Sequence, residues 1–356
     1  MADSVLLAMS GGVDSSISAY LLQQQGYEII GVTFKTFTDK TSQTTIRKAE
    51  KSIIDAKIIA QKLNIPHFVE NIEIDFKSTV IEYFTKSYLS AKTPNPCVIC
   101  NPLIKWKYLY KLSEQLNCKY IATGHYVKKK FENGRYFLSE AKDVKKDQTF
   151  FLWNLSQNQL EKTIFPLAQY EKTNIKKIAN ELNFTLLNKK SESYGVCFLG
   201  KNNYYNFIEN NIKSSEIEKS KGFFIDSNDN IITNHSGIYA YTIGQKIFID
   251  NKIFYIISID SFTKNIRIGE INELYKYQIL IDKINLQKYK SIDEINEFEV
   301  AYSYYKDAVK AKFFKKGKSY IIEFESPILA PAIGQSVVLY QNNDLVGGCF
   351  IKSIIK

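Results

Sequence analysis

A glycine-rich segment near the start of the chain has the residue types that bind phosphate. It follows a predicted buried strand, precedes a predicted helix and reads Ser10-Gly11-Gly12-Val13-Asp14-Ser15-Ser16. Adjacent glycines let backbone amides approach an anion, and the helix N-terminus adds its dipole. The serine hydroxyls are further donors, and Asp14 is placed to help hold Mg²⁺ beside the phosphates. No Gly-Lys-Ser/Thr follows, so this is not a Walker A loop; a simple turn of small residues is the alternative interpretation.

A second segment carries a Cys-x-x-Cys pair. Cys97 and Cys100 follow Pro94 and Pro96, and Pro102 is predicted to begin the next helix. A helix N-terminus stabilises thiolate, which is the reactive form of cysteine. Half of a zinc site is the alternative interpretation, and such a site needs two more cysteine or histidine ligands.

The other cysteines occur singly. Cys197 lies between glycines in a predicted loop, where the pattern alone favours a buried core cysteine over a reactive thiol. Cys118 and Cys349 are predicted to be buried and inert, and Cys118 with His125 makes no second zinc-ligand pair. Five is an odd number of cysteines, which argues against a structural disulfide framework.

Length and composition limit the class of protein. With 356 residues, the chain is too long for one ordinary core, so we expect two or three domains. The net charge of +10 favours phosphate-rich partners, although lysines that only keep the surface soluble explain it equally well. There is no apolar stretch of about 20 residues and no signal-peptide pattern, so we expect a cytoplasmic protein without a membrane partner.

Apolar periodicity predicts alternating strands and helices in the first part of the chain. The predicted strands are Ser4–Ala8, Glu28–Lys35, His67–Asn71 and Tyr120–Ala122. Helices are predicted over 13–25, 46–63, 79–89 and 102–116. This alternation implies a mainly parallel sheet covered on both faces, with ligands bound at the carboxyl ends of its strands.

The later part of the chain changes character. From about residue 222, short β-rich runs separated by turn residues indicate a small barrel. The predicted runs are 222–225, 253–258, 265–269, 297–303, 320–324, 336–340 and 348–355. We therefore predict an α/β fold with three parts. Residues 1–150 form a parallel-sheet catalytic domain, 151–215 a small, mostly helical central region with the second cysteine, and 216–356 a β-rich, barrel-like domain.

The glycine-rich segment resembles the PP-loop of the ATP pyrophosphatases, which cleave ATP between its α and β phosphates. Several segments, taken in order, resemble one family of these enzymes, the tRNA-specific 2-thiouridylases. The resemblance extends over essentially the whole chain. The segments are Ala8–Ser15, Thr93–Pro96 with Cys100-Asn101, Ala122–Tyr126, Lys146–Leu152, Gly195–Gly200, Tyr241–Gln245 and Gly334-Gln335.

The resemblance implies a nucleotide site and a reaction. ATP, with Mg²⁺, would be held by the PP-loop, by an apolar side chain against adenine and by a glycine near the loop; these residues are Ala8, Met9, Ser10, Gly11, Gly12, Val13, Asp14, Ser15, Phe34 and Gly124. The 2-oxygen of the wobble uridine would attack the α phosphate, and the resulting adenylate activates carbon 2 of the base.

The resemblance also implies the sulfur chemistry. Cys197 would carry a persulfide delivered by a sulfur-donor protein, and this persulfide would attack carbon 2. Cys100 would then attack the Cys197 persulfide, releasing sulfide or closing a transient disulfide. Two separated thiols suit this scheme, since one carries sulfur and the other resolves the intermediate.

The remaining implied roles concern tRNA. Asn95, Pro96 and Cys97 would contact the target base, which must leave its stack to enter the pocket. A second set would contact the rest of the tRNA: Lys146, Asp147, Gln148, Ser303 and Tyr304. A lysine-rich run after them is either a solvated strand-turn face or a phosphate contact; its members are Lys306, Lys310, Lys312, Lys315, Lys316 and Lys318.

Some positions depart from the family pattern. Cys97 stands where some members carry an aspartate, which puts an acid-base role there in doubt, and Ser303 replaces a frequent arginine. Two other functions remain open at this point. One is a different PP-loop enzyme, an amide-forming ligase or small-metabolite synthetase; the other is a non-catalytic RNA-binding protein with a zinc-held Cys-x-x-Cys.

Overall fold

The computed structural model of the chain describes residues 2–38, 43–184, 195–199, 203–304, 308–317 and 319–355, with 43–45 described by their backbone alone. Within these ranges the chain forms a parallel α/β sheet domain, a small β half-barrel and a closed β-barrel, so the α/β fold class is confirmed. No helix among the described residues is long and apolar enough to cross a membrane.

Among the described residues, seven strands and eight helices belong to the first part of the chain. The strands are β1 Ser4–Ala8, β2 Glu28–Lys35, β3 His67–Asn71, β4 Tyr120–Ala122, β5 Lys128–Glu132, β6 Arg135–Ser139 and β7 Thr163–Ile164. The helices are α1 Val13–Gln24, α2 Gln43–Lys62, α3 Glu73–Phe76, α4 Glu82–Leu89, α5 Pro96–Cys100, α6 Lys107–Gln115, α7 Gln157–Lys162 and α8 Lys172–Glu181. The π-helical turns Lys77–Ile81 and Asn101–Trp106 join α3 to α4 and α5 to α6.

The first sheet is parallel throughout and has the order β3-β2-β1-β4-β7. Side chains of β1 alternate between its faces, as the two-residue period of a strand requires. Leu6 packs into a core with Trp106 and Leu109, while Val5 and Leu7 join a second core that includes α1 and α8. Burial on both faces explains why β1 is apolar from Val5 to Ala8.

Two helix starts predicted from the sequence are wrong. The helix predicted over 102–116 already begins at Pro96, and the one predicted over 79–89 begins at Glu73. Proline is favourable at the first position of a helix, so Pro96 opens α5. Pro102 then lies inside the continuing π-helical turn rather than at a helix start.

The central part contains helices α9 Tyr204–Asn211 and α10 Ser214–Ser220, followed by five strands. These are β8 Gly222–Ile225, β9 Ile231–His235, β10 Lys246–Ile249, β11 Lys252–Ile259 and β12 Ile266–Gly269. They form one mixed sheet of order β10-β11-β12-β8-β9. Residues after 150 also contribute to the first domain, because β7 extends its sheet and α8 packs on α1. The domain boundaries near residues 150 and 215 remain a proposal.

The last six strands make the closed barrel. They are β13 Tyr275–Leu286, β14 Phe298–Ala301, β15 Val309–Lys316, β16 Ser319–Leu329, β17 Ser336–Gln341 and β18 Asp344–Ile354. The barrel closes because β13 pairs with both β16 and β18. The sequence patterns missed β13 and β15, since lysine, glutamine and aspartate interrupt their apolar residues.

Candidate functional site

The proposed nucleotide residues lie at one edge of the first sheet. The glycine-rich loop follows β1, Phe34 is the next-to-last residue of β2, and Gly124 comes two residues after β4. In a parallel sheet these carboxyl ends meet on the same side, where α/β proteins bind ligands. Phe34 is partly buried and packs edge-on against Tyr108, with 6.2 Å between ring centroids.

Gly11 is required by the shape of the loop. Its φ is +69°, and a Cβ added there would lie 2.1 Å from the carbonyl oxygen of Ser52 on α2. Gly124 likewise faces α1, since a Cβ there would lie 3.0 Å from the amide nitrogen of Ser15. Absence of side chains therefore keeps backbone amides accessible around the N-terminus of α1, which suits an anion.

The loop serines bond within the loop. Ser16 is fully buried and its hydroxyl donates to the carbonyl oxygen of Gly12 over 2.9 Å. The Ser15 hydroxyl also donates to Gly12, over 3.2 Å, and accepts from the amide of Ser10 over 3.1 Å. Both hydroxyls thus shape the turn, and the expectation that they donate to phosphate stays a prediction.

Asp14 does not present a free carboxylate. The ammonium of Lys172 on α8 lies 2.6 Å from its Oδ1 and 2.7 Å from its Oδ2. The hydroxyl of Tyr126 donates to the same Oδ1 over 2.7 Å. A divalent cation prefers carboxylate oxygens that are free to coordinate it. In this arrangement Asp14 does not fit the expected Mg²⁺ role.

The Cys-x-x-Cys pair lies inside a helix. Cys97 is the second residue of α5 and Cys100 the last, so the expectation that Cys100 sits at a helix start is wrong. Cys100 is 5% exposed and Cys97 is partly buried. Burial raises the pKa of both thiols, that of Cys100 to about 12, while the nearby charge of Lys105 opposes the rise. Both cysteines are therefore thiols at neutral pH in this state.

Cys197 approaches this pair from a distant part of the chain. Water reaches its side chain, yet protein surrounds the sulfur closely enough that desolvation raises the pKa of the thiol. A negative charge on the Cys197 sulfur would raise the pKa of both Cys97 and Cys100. The neighbouring Phe198 packs in one aromatic core with Phe84 and with Cys100 itself. The interpretation of Cys197 as a buried core cysteine is thus wrong, because its side chain is exposed and its sulfur interacts electrostatically with those of Cys97 and Cys100.

Phe34 connects the cysteines with the nucleotide edge. It packs against the core cluster of Leu6 and Trp106 on one side and against the cluster of Cys100 and Phe198 on the other. Cys118 and Cys349 lie elsewhere and are buried, as predicted. No group of three or more histidine, cysteine, aspartate or glutamate residues in the described ranges is arranged to hold a metal ion.

Two lysines near the site, Lys105 and Lys172, were not identified from the sequence. Lys105 interacts electrostatically with all three thiols; desolvation would lower its pKa, but the thiols together raise it. Burial, with the charge of Lys105, also lowers the pKa of His125 to about 3, so this imidazole is neutral. The one signal for Lys105 is its place five residues after Cys100. No local signal links Lys172 to Asp14.

The proposed tRNA-contact segments meet although they are distant in sequence. The hydroxyl of Tyr304 donates to the backbone oxygen of Asp147 over 2.9 Å, and its ring packs on Phe151 with centroids 4.6 Å apart. The Asp147 carboxylate accepts from the amides of Ala141 and Thr149, both over 3.0 Å. Asp147 therefore organises its own loop, and Lys146 beside it is half-buried.

Other predicted contacts are only partly described. Ser303 is partly exposed, and Gln148 accepts from the amide of Tyr126 over 3.1 Å. The lysines on β15 are exposed: Lys310, Lys312, Lys315 and Lys316. Lys306, Lys318 and Gly200 lie outside the described residues.

The loop before the cysteine pair is bonded to the barrel. The amide of Thr93 donates to the carbonyl oxygen of Ile333 over 2.8 Å. A Cβ on Gly334 would lie 3.2 Å from the carbonyl oxygen of Thr93. The barrel thus contacts the segment that contains Asn95 and Pro96, of which Pro96 is buried and Asn95 partly buried.

Family models match consecutive parts of the chain. One described as tRNA methyl transferase HUP domain matches residues 3–201, and one described as tRNA methyl transferase PRC-barrel domain matches 207–270. A third, described as Aminomethyltransferase beta-barrel domain, matches 276–351.

Relatives of similar length match from end to end. The tRNA-specific 2-thiouridylase MnmA 1 of Clostridium botulinum (strain Okra / Type B1) is 38% identical over 356 residues, 99% of each chain. The tRNA-specific 2-thiouridylase MnmA of Amoebophilus asiaticus (strain 5a2) is 38% identical over 99% of this chain and 96% of its own. That of Salinibacter ruber (strain DSM 13855 / M31) is 38% identical over 98% and 94%.

Proposed function

This chain belongs to the tRNA-specific 2-thiouridylase family, and from that premise we propose that it uses ATP to replace the 2-oxygen of a tRNA uridine with sulfur. The products would be 2-thiouridine, AMP and pyrophosphate, and the target would be the wobble uridine. The structural observation that carries the proposal is the approach of Cys197 to Cys100, with Phe34 packed between the cluster of Cys100 and the core of the first sheet.

At the nucleotide end, the loop residues Ala8 to Ser15 would surround the triphosphate. Gly11 and Gly124 keep the amides at the start of α1 accessible, and Phe34 offers an apolar surface for adenine. Amides fixed before the substrate arrives stabilise developing negative charge without reorganising. ATP use is the common property of this family; Mg²⁺ would accompany the triphosphate, but Asp14 is not free to hold it and we assign the ion no step.

At the sulfur end, Cys197 is the better carrier because water, and so a donor protein, can reach it. Its persulfide would attack carbon 2 of the adenylated base, and AMP would leave. The Cys100 thiolate would then attack the Cys197 sulfur, break the S–S bond and leave 2-thiouridine with a Cys100–Cys197 disulfide, which a two-electron reductant must reopen. Lys105 would favour the thiolates that both steps need.

At the RNA end, Asn95, Pro96 and Cys97 would line the pocket for the flipped base. Lys146 and Gln148 would contact the tRNA together with Ser303 and Tyr304, which the Tyr304–Asp147 bond supports. The exposed lysines of β15 would add sequence-independent phosphate contacts. A tRNA substrate and cysteines that are all unpaired suit the reducing cytoplasm.

Two of the matching family models are described as tRNA methyl transferase domains, which raises methyl transfer as an alternative reaction. The relatives that match over nearly the whole chain are named 2-thiouridylases. A phosphate loop with two neighbouring thiols serves adenylation followed by sulfur transfer, and methyl transfer requires neither feature. We therefore propose thiolation, the reaction for which the full-length relatives are named, and not methyl transfer.

The test is a reconstitution with purified protein, ATP, unmodified tRNA and a persulfide source. We expect pyrophosphate release that depends on tRNA, and 2-thiouridine in the recovered tRNA by mass spectrometry. Cys197→Ser should release a first burst of pyrophosphate like the parent protein and form no 2-thiouridine, with Cys118→Ser as the matched control that retains thiolation. Pyrophosphate release that ignores tRNA and requires a small acid would instead indicate a ligase.

A further inference from the structure

The acidic residue of the glycine-rich loop is balanced by a cation from another helix. Both carboxylate oxygens of Asp14 lie within 2.7 Å of the Lys172 ammonium, and the Lys172 side chain is only 11% exposed. Tyr126 completes the arrangement by donating its hydroxyl to Asp14. The loop thus has an internal counter-ion that the proposed reaction does not use.

The lysine is held rigidly. It is the first residue of α8, and its backbone amide donates to the Asp143 carboxylate over 2.8 Å. Ile175 and Ala179 of the same helix are fully buried in the core that contains Ile17 of α1. The ammonium also lies over the ring of Tyr126, 5.8 Å from its centroid. The position of the charge is therefore set by packing between helices.

The charge matters because Asp14 lies in the first turn of α1, beside the amides that would receive the triphosphate. An unpaired carboxylate there repels the phosphates, and partial burial strengthens the repulsion compared with open water. A carboxylate neutralised by an ammonium leaves the positive end of the helix dipole available to the anion.

We propose that Lys172 is a positioning residue for ATP, which neutralises Asp14 and keeps it from repelling the triphosphate. The proposal rests on the proposed function only in taking ATP as the ligand of the loop. Lys172 acts on ATP through Asp14, so removal of both charges together should do less harm than removal of the lysine alone.

The test measures ATP affinity by titration calorimetry, with excess Mg²⁺, on the full-length purified protein. We expect Lys172→Met to weaken ATP binding about ten- to a hundredfold, as the repulsion by one partly buried charge implies. Lys172→Gln should act in the same direction. The double variant Asp14→Asn with Lys172→Met should return to within about threefold of the parent protein, since neither charge is left unpaired. Lys177→Met, an exposed lysine of the same helix, is the matched control and should bind ATP normally.

A second readout separates positioning from mere stabilisation. In the tRNA-dependent pyrophosphate assay, Lys172→Met should raise KM for ATP by a similar factor and change kcat less than threefold. A variant that only unfolds at lower denaturant, with the parent affinity and KM, would overturn the proposal. So would a double variant that binds ATP as weakly as Lys172→Met, since Lys172 would then contact phosphate directly or Asp14 would hold the metal.

The calorimetric arm needs no tRNA. A parent protein that binds ATP but never responds to tRNA would contradict the proposed function, and the affinities of the charge variants would still decide the role of Lys172.

Discussion

At the scale of residues, the three neighbouring thiols of Cys97, Cys100 and Cys197 are protonated before substrates arrive. Burial raises the pKa of Cys97, Cys100 and Cys197, and Lys105 only partly offsets it. A resting thiol is protected from oxidation and alkylation, because thiolate is the reactive form. The sulfur chemistry therefore requires a change in the environment of these thiols, which a bound tRNA would supply.

The resting state of Cys100 leads to a prediction about pH. Because its pKa is raised to about 12, the thiolate fraction below that pH rises with pH, by about tenfold per unit. Iodoacetamide labelling of Cys100 in the free protein, followed by peptide mass spectrometry, should accelerate continuously from pH 7 to pH 10. Cys100→Ser controls for labelling at the other cysteines. A rate that reaches its plateau below pH 9 would show a thiol of ordinary acidity.

At the scale of elements, four of the five strands of the first sheet could be predicted from the sequence, whereas β7 lies in a region that was predicted to be mostly helical. The residues predicted for β1, β2, β3 and β4 are those observed. Apolar residues dominate β1, β2 and β4, and Pro66 directly before β3 marks where that strand begins. The start of α5 was missed because the two prolines indicated a stiff approach and not a helical first turn. No local pattern reveals that the carboxylate of Asp14 has a partner on α8.

The loop that follows β1 depends on a residue without a side chain at Gly11. Gly11→Ala should lower the free energy of unfolding by more than the about 1–2 kcal/mol that a left-handed backbone costs a non-glycine residue, because its Cβ also meets Ser52. Gly26→Ala is the matched control; φ there is +85° with nothing described within 4 Å, so only the backbone cost applies.

Urea unfolding followed by circular dichroism measures both variants, and ATP titration follows the site. Gly11→Ala should lose ATP binding as well as stability, whereas Gly26→Ala should bind ATP normally. Equal losses of stability in the two variants would mean that α2 moves away from the loop without cost.

At the scale of the whole molecule, the C-terminal part of the chain contacts two loops of the first domain. Gly334 adjoins Thr93, and Tyr304 bonds the backbone of Asp147. Both contacts join segments more than a hundred positions apart, so only an overall resemblance predicted that these motifs cooperate. The barrel therefore supports the loop that begins at Thr93, for which we propose contact with the target base.

This support can be weakened at one position. Gly334 has a φ of +89°, and an added Cβ would lie 3.1 Å from the Cβ of Lys92. Gly334→Ala should shift the Thr93 loop and raise KM for tRNA about tenfold, the order expected when a positioned group is misplaced. ATP affinity should stay within twofold. Gly134→Ala, at φ +73° with nothing described within 4 Å, is the control, and an equal change of KM in both variants would remove the barrel from this role.

The most direct test of the whole account is nucleoside mass spectrometry of tRNA from cells that lack this gene and carry no other member of the family. We predict that 2-thiouridine disappears, returns when the parent gene is restored, and stays absent when only Cys197→Ser is supplied. Unchanged 2-thiouridine in the deletion strain, or full recovery with Cys197→Ser, would contradict the account.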